Sequence, residues 1–218
     1  MRSILDDRLL LTRHERAVRL STDAVQAAVD VPLKIETPCA GWDLRALLDH
    51  MSTQNRGFAA AARGAQDPTV WEVRSAADPI DDYLRSANEV VAAVAESDAH
   101  TWALPEIPPG RFPAPIALGF HLIDSVVHAW DVARSIGRSI DLDHDLAPTA
   151  LSIAEAVPAG ASRLRPDAAF APALDVTNLP GGLVNQPGQA KESIDAAATL
   201  DRILRLLGRS PDWTPSRP

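Results

Sequence analysis

Between residues 3 and 30 the apolar side chains Leu5, Leu9, Val18, Val25, Ala28 and Val29 recur at three- and four-residue steps with charges between them. That is the pattern of a long amphipathic helix, which Pro32 closes. A second run opens at Asp43, a helix-capping residue type, carries Leu44, Leu47, Leu48 and Met51 on one stripe, and stops at Gly64. A loop with Asp67-Pro68 and Trp71 leads to a third helix expected over about 79 to 97, with Pro79 in its first turn. Residues 104 to 115, "LPEIPPGRFPAP", hold five prolines in twelve positions and read as a rigid, non-helical connection. A fourth helix is expected from roughly 115 to 136, with Gly137 as its C-terminal cap.

Four amphipathic helices without a convincing strand signal predict an all-α four-helix bundle. Beyond it, "DLAPTALSIAEAVP" predicts a fifth, short helix, and "AAATLDRILRLLG" a last one over about 196 to 208. Residues 160 to 195 have little periodicity; "FAPALDV", 170 to 176, is the best candidate there for a short strand or extended segment. The expected organisation is therefore a bundle over 1–140 and a C-terminal extension over 141–218, with one or two extra helices packed on the bundle as a single domain.

The fourth helix carries the candidate chemistry. In "HLIDSVVHAWDVARSIG" the residues His121, Asp124, His128 and Asp131 fall within a helical sector of about 80°, while Leu122, Ile123, Val126, Val127, Trp130 and Val132 cover the flanks. A largely buried stripe of imidazoles and carboxylates must be compensated. Three arrangements do so: a bound metal, a metal-free acid/base cluster, or salt bridges to arginines of neighbouring helices. His50 borders the apolar face of the second helix and can look into the bundle; beside the fourth helix it would meet Asp124 and His128. Two imidazoles and a carboxylate suit Zn²⁺ with an open fourth position, and less well Ni²⁺ or Fe²⁺.

Composition narrows the setting. The net charge of −8 and the absence of a Lys/Arg cluster speak against a nucleic-acid partner. Uninterrupted apolar runs fall well short of the roughly 20 residues a membrane span needs, so a soluble, cytoplasmic protein is expected, as monomer or homodimer. A single cysteine, Cys39, excludes an internal disulfide and an all-cysteine zinc site. Lying just before the second helix, Cys39 reads first as a small buried hydrophobe and only second as a reactive thiol. Trp42 and Trp130 read first as packing residues at helix ends and second as pocket lining, His14, His100 and His144 as surface, and Arg56 and Arg111 first as solvated and second as receivers of a substrate carboxylate.

"TPCAGWDLRALLDHM" (37–51), "DSVVHAWDVARSIG" (124–137), and "FAPALDV" with "LDRILRLLGRSPDW" (200–213) together resemble the actinobacterial group related to mycothiol-dependent maleylpyruvate isomerase, among the DinB-like metal-binding bundles. The resemblance implies a four-helix bundle holding a divalent metal, usually zinc, on His50, Asp124 and His128. It also implies mycothiol or a similar small thiol as co-substrate and a small electrophile as substrate, hence a thiol transferase or isomerase. Characterised members tend to carry glutamate where this chain has Asp124, and a larger second domain than the roughly 80 residues that follow the bundle here. His121 and Asp131 lie outside the implied trio; they are expected to orient an imidazole or exchange protons, with His121 a hydrogen-bonded wall residue and Asp131 an arginine partner (Arg13 or Arg134) as the plainer alternatives. Two other classes stay open: a non-enzymatic bundle binding a metal or ligand, and a hydrolase whose metal activates water.

Overall fold

The structure, a computed structural model, describes residues 4–164, 170–176 and 195–216. It divides into two compact units, residues 1–140 with 214–218, and residues 141–213.

The first unit is built on four helices, α1 (Ile4–Gln26), α2 (Leu44–Ala62), α3 (Pro79–Glu96) and α4 (Ala114–Ser135). Helix α1 packs on α4 and α3, and α2 on α3 and α4, so α1 and α2 face each other across the core. Their ends are set by local chemistry. Asp43 accepts from the Ala46 N–H at 2.9 Å to start α2, and Asp78 accepts from Ile80 and Asp81 to start α3. Gly137, at φ +70°, ends α4 in the left-handed turn that lets Arg138 N–H reach Ala133 O at 2.8 Å.

The buried face of α1 is not the leucine-rich one. His14, Ala17, Val18, Ser21, Ala24, Val25 and Ala28 are buried at three- and four-residue spacing, whereas Leu9 and Val29 are exposed. Small residues on that face let α1 lie close to α4. His14, read from the sequence as a surface residue, is 1% exposed. Helix α4 is long and apolar enough to cross a membrane by length and composition, although no uninterrupted run in the sequence predicted it; 83% of its most apolar window is buried inside the protein, as in a core helix.

Two details correct the sequence reading. Trp102 and Phe112 pair at the centre of a small antiparallel hairpin, β1 (Thr101–Ala103) with β2 (Arg111–Pro113), at the ends of the proline-rich segment expected to be only a connection. Strands of three residues are too short to show alternation, and Pro113 is tolerated at a strand end. Between α2 and α3, Pro68–Trp71 forms a 3₁₀ turn whose Trp71 ring lies directly on Gly57 of α2; a Cβ at that glycine would meet the ring at 2.5 Å.

In the second unit α5 (Ala147–Ala156) packs on α6 (Ala196–Leu206), which Asp195 caps. Buried Arg163 donates to the carbonyls of Val157, Pro158, Ala171 and Leu206, gathering the chain ends around it. Residues 170–176, expected as a short strand or extended segment, are non-helical and form no strand; Leu174 N–H bonds to Arg205 O at 2.9 Å.

Candidate metal centre

The loop before α2 is held by its own polar groups. Thr37 Oγ1 donates to Trp42 O at 2.9 Å, and Cys39 N–H donates back to Thr37 Oγ1 at 3.2 Å. This fixes Cys39 and Trp42 at the start of α2, with His50 about two turns further along the helix. The Trp42 ring lies 4.8 Å from that of His50, and the His50 ring stands edge-on to His128 at 5.2 Å. His128 Nε2 lies 3.3 Å from Asp124 Oδ1, one turn earlier on α4. One donor atom from each of His50, Asp124 and His128 lies within 4.8 Å of the others.

The other nitrogen of His128 is committed. Its Nδ1–H donates to Asp131 Oδ2 at 2.9 Å, and the Cys39 thiol donates to the same oxygen at 3.1 Å. Asp131 is fully buried and accepts from Nδ1–H, so Nε2 is the nitrogen of His128 that faces Asp124. Burial works against charge on both members of the Asp124–His128 pair, but their mutual attraction and hydrogen bond prevail: Asp124 is held well below the usual carboxylate range and His128 is raised well above its ordinary value.

His121 turns away from this cluster. Its Nε2–H donates to Asn55 Oδ1 at 3.0 Å, because Asn55 uses its amide to donate to Ser86 Oγ. Its Nδ1 must then accept, and the Nε2–H of His14 fills it at 2.7 Å. Phe58 covers the ring at 4.6 Å, and Tyr83 and Ser21 bond to each other nearby. Burial, partly offset by Asp124, pushes His121 down to about 4; burial and then His121 lower His14 as well, so both are neutral at pH 7. His14, Asn55 and Trp42 are the residues sequence reasoning did not assign here. His14 was legible in principle, since it continues the Ala17–Ser21–Ala24 spacing. His100 and His144 are exposed as expected, while Arg56 is paired with Asp82 at 2.8 Å.

A bundle whose facing helices bring two imidazoles and a carboxylate to one point belongs with the helical bundles able to hold a divalent cation. Residues 14–133 match the family described as mycothiol maleylpyruvate isomerase N-terminal domain, and the chain belongs to that family. Two uncharacterized proteins of Mycobacterium tuberculosis, from strains CDC 1551 / Oshkosh and ATCC 25618 / H37Rv, are each 32% identical over 128 residues, which is 56% of this chain. The match spans 64% of the length of each relative, less than two thirds. No solved structure matches the chain.

Proposed function

We propose that this protein is a divalent-metal-dependent thiol transferase or isomerase, with His50, Asp124 and His128 as the metal ligands, zinc as the metal, and mycothiol or a similar small thiol as co-substrate. The observation that carries the reading is the meeting of these three donors within 4.8 Å in a chain of this family. The donor set fits: imidazole and carboxylate suit zinc, and three protein ligands leave a tetrahedral position open. A divalent cation held there supplies the positive charge that keeps a small thiol as its thiolate at neutral pH.

The chain's own residues do the rest. Asp131 holds His128 in the tautomer that offers Nε2. Asp124 carries the only negative charge of the trio, so a dication keeps one positive charge for an anionic sulfur. Trp42, 37% exposed beside His50, gives a small electrophile an apolar surface. The thiolate forms a carbon–sulfur bond with the electrophile. Expulsion of a leaving group from the attacked carbon, or addition across a conjugated double bond with a proton taken up at its far carbon, gives transfer; reversible addition to a conjugated double bond, rotation and expulsion of the thiolate gives isomerisation. Shortening glutamate to Asp124 changes the reach of the carboxylate, which fits a substrate other than maleylpyruvate. A reaction using a reduced small thiol belongs in the cytoplasm.

The test combines metal analysis with turnover. Full-length protein reconstituted with Zn²⁺ is expected to hold at least one ion per chain, to hold fewer in His50→Ala and in His128→Ala, and to consume mycothiol with a reactive electrophile only when the His50–Asp124–His128 position is loaded. Wild type that stays metal-free after reconstitution overturns the reading in favour of a salt-bridged binding bundle. Loaded protein that turns over esters or amides without thiol moves it to the hydrolase class.

A further inference from the structure

His128 has potential ligands on both ring nitrogens. On the Nδ1 side, Cys39 Sγ lies 3.1 Å from Asp131 Oδ2 and 3.9 Å from Nδ1, and Nδ1 lies 2.9 Å from Oδ2. A tetrahedral ion with bonds of about 2.0 Å to nitrogen or oxygen and about 2.3 Å to sulfur keeps its ligands roughly 3.3–3.6 Å apart. These three atoms need shift by only tenths of an ångström to meet that. We propose that Cys39, Asp131 and Nδ1 of His128 form a second cation position, for a thiophilic divalent ion, which shares the imidazole of His128 with the first.

The chemistry of the exchange balances. The ion takes the place of two protons, one from the Cys39 thiol and one from His128 Nδ1, both now directed at or near Asp131. With both positions filled, Asp124, Asp131, the Cys39 thiolate and the bridging imidazolate supply four negative charges against two dications, so the pair of ions is neutralised in place. Filling the Cys39 position alone is neutral too, since a thiolate and a carboxylate match one dication. The scaffold is ready: His128 and Asp131 are three residues apart on one helix, and the Cys39 loop is pinned by Thr37. Cys39 is only partly buried, which leaves an entry path. None of this depends on thiol transfer at the first position.

Co²⁺ is the probe, because thiolate ligation gives an intense near-ultraviolet charge-transfer band that imidazole and carboxylate ligands do not. Reduced full-length wild type is expected to take up two Co²⁺ per chain and to develop that band. Cys39→Ser should bind one ion with no band, and His50→Ala one ion with the band intact. Uptake of one ion by wild type without the band overturns the second position and leaves the first standing. Retention of two ions by Cys39→Ser also overturns it. A single ion whose band survives in His50→Ala supports the Cys39 position and removes the ion from the trio of the proposed function.

Discussion

Lowering the pH from 7 to 4.5 should weaken the bundle through its neutral histidine pair. His121 is 1% exposed and its pKa is down from 6.5 to about 4, chiefly by burial. A depressed histidine is neutral in the native state but takes a proton in the unfolded state once the pH drops below 6.5. The unfolded state therefore binds more protons across that window, and stability rises with pH from about 4 to 6.5. Each proton is worth about 1.4 kcal/mol per pH unit, so His121 alone contributes roughly 3 kcal/mol that is present at pH 7 and lost by pH 4. His14 is lowered by the same burial and by His121, so it adds in the same direction. That is a large part of the roughly 5–15 kcal/mol a domain usually has.

His128 opposes this slope near the top of the range, because its raised pKa keeps it protonated in the native state while the unfolded state loses its proton around pH 6.5; below about pH 5.5 it is protonated in both states, and there the slope reports His121 and His14. Asp124, depressed, begins to lose its contribution only below its unfolded value of 3.8. The assay is urea unfolding of metal-free protein by circular dichroism at half-unit steps from pH 7 to 4.5. The slope of stability against pH should approach two protons in wild type and fall by one in His121→Asn, whatever absolute stability that variant keeps. A flat profile in wild type, or an equal slope in the variant, would refute the neutral pair.

Asp131→Asn should weaken Zn²⁺ binding at the His50–Asp124–His128 position by about 10- to 100-fold, because Asn holds His128 Nδ1–H less strongly and loses a full charge; competition against a chromophoric chelator in a Cys39→Ser background measures it, and unchanged affinity counts against the orienting role. Gly57→Ala puts a methyl into the Trp71 ring and should cost about 1–3 kcal/mol, seen in thermal melts and in the fluorescence of the displaced indole; an unchanged melt contradicts that contact. Asp43→Ala removes the α2 cap and should cost about 1 kcal/mol in urea unfolding, with a loss below a few tenths counting against the cap.

The helices were legible because their punctuation is local. Asp43 and Gly64 bound α2, Pro79 opens α3 and Gly137 ends α4, each through its own backbone preference or its bonds within one turn. The polar stripe of α4 was legible as a stripe, and so was the prospect of His50 meeting it. What the chain does not display is rotation. Whether Leu9 or His14 faces inward on α1 depends on which small residues can approach α4, and hydrophobicity alone ranks those faces the wrong way round. The roles of Cys39 and Trp42 were equally hidden, since a loop held by Thr37 carries no periodic signal. Trp71 needed Gly57 as its seat, a pairing of residues whose contact no spacing rule connects.

The two polar groups on α4 divide a single problem between them. A bound cation demands that α2 and α4 keep their separation and rotation to within about half an ångström, yet the ligands themselves are poor fasteners, because they must adjust to the ion. One turn away, His121 on α4 bonds Asn55 on α2 and His14 on α1, and Asn55 goes on to Ser86 on α3. With Asn55 donating to Ser86 and accepting from His121, the His14–His121 pair closes in one tautomer and ties all four helices together. Being neutral, it fixes their register without adding a charge to compete with Asp124 and His128. The alignment of His50 with His128 is therefore set by residues that hold no ion. Disrupting His14 should accordingly loosen metal binding from the far side of the bundle even though every ligand is intact.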